Sequence, residues 1–568
     1  MMATGIFVCL LAMILGSILL TAATAAQLRQ PAANEDVSAT TAHHHNIHVN
    51  FDDITFTSKT TATLQVVSNP ILDKKYSPVA DTLFDNLSGL GADLVRYAAW
   101  FPYPTVGVAE LEPPDYIHRT TSWKFGDELQ QQFLDVWNAV VVNNKNNRLV
   151  MTFSTQPAWM FNTTDWSYSN DTSRSDWGYA KGSWMPSTTE LVADYYARFA
   201  QWLVDGEFQD EFGNVIGGGP KLGLGVKEGK VGVTHWEIFN EPEAEHRLKP
   251  YQYNLLYDAI VQAIRKAVDP TNSIEFFGMA LSGHHEWNWW EEFLTLSNHA
   301  PEARDAVQNG YTSFHFYASP SSRTNVSTFV EVWPRLYDFL DEVDDIIQLR
   351  NRLSPTTKLA VNEAGVIPPD DNKKGVEESP PIYYNMVAAL YTVLLVELTV
   401  KGVDLVGSSQ FCGCPEMPVF NIPDRQYPGV SMTNWTTGSG NPRYWALKLI
   451  LDQGFGPGNE IVQSSVTAKN DDNNRPDVYA QGLITRQGQR KVILVNKSDQ
   501  EKSTSMPSIY KTTLKREGVK YRVSMVDETT HDEPWMEYVT QETKLILKPF
   551  AVAVITIEDE DKTGEALM

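Results

Sequence analysis

Cysteine is almost missing from this chain, with three in 568 residues. A scaffold stapled by disulfides is thereby excluded, because such scaffolds need many paired cysteines. Cys9 lies in an N-terminal apolar stretch. Cys412 and Cys414 are separated only by Gly413, a spacing at which a bridge is strained, so they read as thiols or as a labile bond. Positive charge is also scarce. Lys and Arg total 46 against 70 Asp and Glu, for a formal net charge of −24. That mean field repels polyanions and argues against nucleic acid and anionic membrane surfaces as partners. A polyanionic glycan is disfavoured too, unless Arg or Lys in a pocket reverses the field locally. Long apolar runs are missing after the N-terminus. Residues 386–400 come nearest to a membrane span, but they are too few and include Glu397. No internal repeat is apparent.

The first 26 residues have no charged side chain, 6–20 are apolar, and Thr24-Ala25-Ala26 supplies small residues for cleavage. This resembles a secretory signal peptide and implies a secreted protein with no stable membrane insertion after cleavage. No Lys or Arg precedes the apolar stretch, so an uncleaved anchor is the alternative. Six Asn-x-Ser/Thr triplets, at Asn86, Asn162, Asn170, Asn325, Asn434 and Asn496, are candidate glycan sites on that route. Residues 27–46 are small and polar and read as a flexible linker. Their His43-His44-His45 run, with His48, reads as solvated tail and not as a metal site, because no Cys or carboxylate spacing accompanies it.

With 42% hydrophobic and 20% charged residues the rest is globular, and too long for one core. From about residue 60 to 455, within a barrel domain drawn at 47–455, two periodicities alternate. Apolar, β-branched runs stand at 63–67, 94–98, 149–153, 236–239, 274–279, 312–317, 359–362 and 403–408. Helical patterns follow them at 79–90, 128–142, 190–203, 251–268, 287–296, 329–349, 382–400 and 444–451. Eight strands alternating with eight helices predict an α/β chain with a (β/α)8 TIM barrel. From 456 to 560 only short strand-like runs separated by turns appear, which predicts a C-terminal β-sandwich. Residues 47–57 fit either the barrel span or an added sandwich strand. Residues 561–568 finish the acidic tail that begins at Glu558.

Two segments carry chemistry. Trp236-Glu237-Ile238-Phe239-Asn240-Glu241-Pro242 reads as a short strand ending in a carboxylate, and Lys358-Leu359-Ala360-Val361-Asn362-Glu363-Ala364-Gly365 repeats the design. On the strand count Glu241 ends the fourth strand and Glu363 the seventh, at the barrel face where sites are built. Two carboxyls facing one another across a sugar are what glycoside hydrolysis needs: one protonates the leaving oxygen, and the other attacks or activates water. His315 and Tyr317 end the sixth strand two residues apart, hence on one face. Arg96, inside an apolar second strand, needs an anionic partner. Trp100, Trp159 and Trp435, on loops after strands two, three and eight, offer flat faces for sugar rings or for packing. His284-His285-Glu286-Trp287 lacks the second histidine of a zinc protease motif, so no metal is assigned there.

These segments resemble clan A glycoside hydrolases, and among them family 39, the xylosidase and iduronidase group. The resemblance covers the barrel, and a trailing β-sandwich is usual there. It implies Glu241 as acid/base, Glu363 as nucleophile, Asn240 on the sugar 2-hydroxyl, and Tyr317 and Arg96 beside the nucleophile. It implies an oligosaccharide or polysaccharide substrate, no metal and no organic cofactor. The chain departs from the pattern where Phe239 replaces Trp, where Glu243 replaces Asn, and where Ser409-Gln410-Phe411 stands at the end of strand eight. A retaining β-glycosidase such as a xylosidase is the expectation. The alternatives are a uronic-acid-releasing enzyme, with Lys181, Arg247 or Arg425 as the needed cation, and a non-catalytic carbohydrate-binding barrel.

Overall fold

The computed structural model describes residues 44–558 except 100–107, 111, 145–146, 155–156, 163–182, 185, 228, 284–285, 374, 414, 416–426, 469–474, 510–519 and 531–532. The signal segment, most of the linker, the acidic tail, Trp100, Lys181 and Arg425 therefore lie outside the described residues.

Eight strands close into a parallel barrel. In chain order they are Thr61–Val67, Val95–Ala99, Leu149–Phe153, His235–Glu237, Glu275–Leu281, Tyr311–Ala318, Lys358–Val366 and Leu405–Ser408. The last pairs with the first in parallel, through Leu405 to Thr61 and Ser408 to Leu64, which closes the ring. Eight main helices connect them: Ala80–Leu90, Asp127–Trp137, Thr189–Asp205, Pro250–Ala267, Trp287–Leu294, Val332–Leu353, Ile382–Lys401 and Pro442–Asp452. Strands and helices fall within a few residues of the periodic runs. Several ends have visible causes. Gly91, Gly206 and Gly402 end helices in the left-handed conformation, and Asn441 caps the eighth helix by accepting from the Arg443 amide at 3.0 Å. A short helix, Arg304–Asn309, was not legible in the sequence.

A second core lies in the sheet domain. Strands Glu460–Ala468, Val478–Ile484, Arg490–Asn496, Lys520–Val526 and Val552–Glu558 join an antiparallel ladder that also takes in the N-terminal strand His44–Thr57. Val523 and Leu547, from strands near opposite ends of that ladder, meet in one core with Ile47 and Val49, so the ladder folds over as a sandwich. The strand starts at His44, inside the stretch read as linker. Its histidines are anchored: His45 is buried, and His48 Nδ1 lies 2.7 Å from Ser508 Oγ.

The seventh helix, Ile382–Lys401, explains its own composition. Among the described residues it is the one helix long and apolar enough to cross a membrane, with mean hydropathy 1.4, yet 83% of that window is buried. The barrel covers one side and the sandwich the other. In strand Arg490–Asn496, Val492 and Leu494 face the sandwich core while Ile493 and Val495 face the barrel-side core; Ala553/Ile555 and Val552/Val554 repeat the division. A strand buried on both faces reads as a continuous apolar run, and a helix covered all round reads the same way.

One buried acid sits outside the barrel. Glu110 is 1% exposed, and among the described residues neither carboxylate oxygen has a hydrogen-bond partner. Burial, then repulsion from Glu211 and Asp210, lifts its pKa from 4.5 to about 8 against the pull of Arg198. The folded state thus holds a proton that the unfolded state releases above pH 4.5, so stability falls as pH rises from about 4.5 to 8. Glu110→Gln should leave stability nearly unchanged at pH 4 and raise it by roughly 2–4 kcal/mol at pH 8. Thermal melts at the two pH values check this, and an equal effect at both would contradict it.

Candidate active site

The barrel interior is layered. Leu94, Val150, Phe277, Tyr311, Ala360 and Leu405 form an apolar plug, with the Phe277 and Tyr311 rings stacked at 4.1 Å. Two residues further along four of those strands stand Arg96, Thr152, Ser313 and Asn362. Alternation keeps them inside the barrel, so a polar layer rests on the apolar one. Gln65 and Glu237 complete it.

Arg96 organises this layer. Its Nε donates to Glu237 Oε2 at 2.5 Å, Nη1 to Glu363 Oε1 at 2.5 Å and to Gln65 Oε1, and Nη2 to Asn240 Oδ1 at 2.6 Å. A guanidinium 1% exposed is tolerable only because it meets two carboxylates. Asn240 gives one Nδ2 hydrogen to Glu245 Oε1 at 2.7 Å. With its oxygen held by Arg96, its amide has one hydrogen left to offer.

Glu363 does not end the seventh strand, as the sequence suggested, but lies within it. The register with strand six slips by one residue: Phe314 pairs with Val361, and His315 with Glu363. This bulge turns both Asn362 and Glu363 inward, where strict alternation would have turned one out. A Cβ at Gly407 on strand eight would come within 2.8 Å of the Asn362 carbonyl oxygen, so glycine gives the bulge its room.

Glu241 is placed by broken backbone geometry. Strand four ends at Glu237, earlier than expected, and Phe239 and Glu241 take φ of 66° and 40°. On strand five Met279 and Ala280 take φ of 72° and 43°. The Glu241 amide donates to the Ala280 carbonyl at 2.9 Å. Tyr253, from the fourth helix, donates to Ile238 O at 2.9 Å and accepts from the Met279 amide at 2.6 Å. Left-handed φ at non-glycine residues costs about 1–3 kcal/mol each and concentrates at functional sites.

The two glutamates meet over His315. An oxygen of Glu241, a nitrogen of His315 and an oxygen of Glu363 all lie within 4.8 Å of one another. His315 Nδ1 is 2.8 Å from Glu241 Oε1 and 3.6 Å from Glu363 Oε2. The Tyr317 hydroxyl donates to Glu363 Oε2 at 2.7 Å and lies 2.5 Å from Ser409 Oγ. Burial alone would lift the Glu363 pKa, but the charges of His315 and Arg96 and the bonds from Tyr317 and Arg96 outweigh it and hold the carboxylate ionised below its usual range. Burial would likewise strip His315 of its proton; the charge of Glu363 and the bond to Glu241 hold its pKa above the usual imidazole value. By donor type the trio also suits a transition-metal ion. Both Glu363 oxygens are already engaged, however, so an imidazole hydrogen-bonded to Glu241 fits between the two carboxyl groups better.

Above them is a cavity of about 160 Å³ lined by Gln65, Asn240, Tyr317, Gln410 and Tyr427 around the two glutamates, with Val67, Ala98, Ile367 and Val430 as an apolar wall. Arg443 braces the rim from behind by donating to the Ser409 and Val430 carbonyls. The structure therefore brings together Glu241, Glu363, Asn240, Arg96, His315 and Tyr317. It does not bring Trp159 or Trp435 to the lining. Their half-buried indoles are tied to the Glu110 carbonyl at 3.3 Å and to Ser431 Oγ at 3.2 Å, where packing claims them. Glu237, Gln65 and Tyr427 were missed. Glu237 had a signal, a charge inside a buried strand like that of Arg96; Gln65 and Tyr427 had none.

No family model matches the chain, and no curated protein matches it. Solved structures do. A family 51 arabinofuranosidase from Xanthomonas axonopodis pv. citri superposes with a TM-score of 0.59 at 11% identity, covering 91% of this chain and 100% of that one. The chain has the fold of clan A glycoside hydrolases. A thermostable family 51 α-L-arabinofuranosidase from Thermotoga petrophila RKU-1 gives 0.55 at 12% identity, with 91% and 100% covered. A family 30 subfamily 8 xylanase from Clostridium acetobutylicum gives 0.52 at 12%, with the same coverage. At such identities the shared property is the fold. These structures belong to families 51 and 30, and the family 39 resemblance is a matter of the sequence alone.

Proposed function

We propose that this chain is a retaining glycoside hydrolase acting by double displacement, within clan A and nearest family 39. The carrying observation is that one oxygen of Glu241 and one of Glu363 lie within 4.8 Å of each other, which sets the two carboxyl groups nearer the retaining spacing than the inverting one. Retaining enzymes hold their carboxyls about 5–5.5 Å apart and inverting ones about 6.5–9.5 Å. In the first step a Glu363 oxygen bonds to the anomeric carbon as the bond to the leaving oxygen breaks. The leaving oxygen keeps the electron pair and takes the Glu241 proton. In the second step Glu241 takes a proton from water, whose oxygen bonds to the anomeric carbon and frees Glu363. Exposure supports this division: the Glu241 side chain is 23% exposed and that of Glu363 9%. The remaining Asn240 amide hydrogen would meet the sugar 2-hydroxyl.

The substrate is read as a neutral, β-linked pentoside such as a xyloside. Among the described lining residues no Lys or Arg is present, and Arg96 beneath them already spends itself on four acceptors. The apolar wall suits a sugar edge without a charged substituent. The arabinofuranosidases and xylanase of similar fold are named for pentose substrates. A uronic acid needs a cation at its carboxylate; Arg247 is exposed and outside the lining. On aryl glycosides, kcat/KM for the best neutral pentoside should exceed that for any uronide by at least about 100-fold, the scale of burying an unpaired carboxylate. The reverse order would overturn the neutral-sugar reading. Secretion is proposed on the N-terminal segment, and Asn325 and Asn434 are exposed as glycan acceptors would be. Asn496 is buried, and its amide donates to three carbonyls, so it is not proposed as one.

A further inference from the structure

Glu237 lies below the proposed catalytic pair and outside the pocket lining. Four donors converge on it. Oε1 accepts from Ser313 Oγ at 2.8 Å and Asn362 Nδ2 at 2.6 Å, and Oε2 from Arg96 Nε at 2.5 Å and Thr152 Oγ1 at 3.0 Å. Such a setting suits a carboxylate, which only accepts. Arg96 therefore stands between two anions, and the double displacement treats them differently. Glu363 loses its charge on becoming a glycosyl ester and regains it on hydrolysis. Glu237 forms no bond to the sugar at either step.

We infer that Glu237 is a positioning residue that keeps Arg96 paired while Glu363 is esterified, and that it thereby favours formation of the glycosyl-enzyme. The inference rests on the retaining reading. In the free enzyme Arg96 faces both carboxylates. In the intermediate Glu237 is its one anionic partner among the described residues, and a buried guanidinium left with none is severely destabilised. Removing the Glu237 charge would leave the free enzyme one ion pair but the intermediate none. The penalty falls on the intermediate and on the transition state leading to it. Hydrolysis starts from the penalised state and restores the Glu363 anion, so it is not slowed. A merely structural glutamate would slow both steps together.

The test uses the full chain, the Glu237→Gln and Glu237→Asp variants, and an aryl glycoside that the wild type hydrolyses. Formation of the intermediate is read as kcat/KM. Its hydrolysis is read as recovery of activity after trapping with the matching 2-deoxy-2-fluoro glycoside and removing the excess. Glu237→Gln should lose at least about 100-fold in kcat/KM, yet recover from the trap no more slowly than wild type. Glu237→Asp keeps the charge and should hold kcat/KM within about tenfold of wild type, and it carries the test where the amide variant does not fold. Equal losses in both steps, an unchanged kcat/KM in Glu237→Gln, or a loss in Glu237→Asp as large as in Glu237→Gln would overturn the role of Glu237. A wild type that hydrolyses no glycoside, or that gives inverted product, would fail the retaining reading itself.

Discussion

Replacing Glu363 with alanine should lower kcat/KM on an aryl glycoside by roughly 10,000-fold or more, the scale seen when a nucleophile is deleted. Among the described residues no other carboxylate is placed to take its position. Glu241 is engaged with His315 Nδ1 at 2.8 Å, and Glu237 is fully buried and saturated by donors. The protein should still fold. Arg96 loses one anionic partner but keeps Glu237 at 2.5 Å, so it is not left as an unpaired buried charge. The melting temperature should fall by no more than a few degrees. Measuring the melt and kcat/KM on the same preparation separates the two effects. Activity within tenfold of wild type in the folded variant would remove Glu363 from the mechanism.

Glu241→Ala should behave in a different way, and the difference identifies the roles. Glu241 contributes most when the leaving group is poor, because it supplies the proton. With an activated aryl leaving group the first step needs little acid, so the glycosyl-enzyme should form and then hydrolyse slowly for want of a base. General acid or base assistance is worth about 100- to 10,000-fold, and losses on poor leaving groups should fall in that range. Azide needs no deprotonation. Entering the space vacated by the Glu241 side chain, it should restore turnover and give a glycosyl azide of retained configuration. With Glu363→Ala azide can act only from the nucleophile's side, so its product should be inverted. Rescue of neither variant, or one configuration from both, would show that acid/base and nucleophile are wrongly assigned.

Much of the frame is legible in the sequence. Barrel strands are apolar runs because helices cover them, and helices read at their own period, so the two alternate visibly along the chain. Glu241 and Glu363 could be paired because strand ends converge at one face of a barrel. What eluded the sequence is local backbone geometry. The slip at Asn362 leaves no compositional trace, yet it decides which way Glu363 points. The left-handed turns at Phe239 and Glu241 place the acid/base candidate four residues beyond the strand that carries it. Glu237 went unread because a carboxylate inside a buried strand announces its partner only once strands two, three and four lie side by side in that order. Trp159 and Trp435 show a different ambiguity. An aromatic on a loop after a barrel strand suggests a sugar platform, but the same ring packs as readily, and here both are half-buried against the core.

The central claim is a covalent intermediate on Glu363. Incubating the wild type with the 2-deoxy-2-fluoro aryl glycoside of its best substrate should stop turnover and leave a stable ester, because the fluorine slows both steps while the activated leaving group favours the first. Peptide mass mapping after digestion should place the added sugar on the segment containing Glu363 and on that residue. A sugar found on Glu241, or full inactivation with no covalent adduct anywhere, would contradict the account.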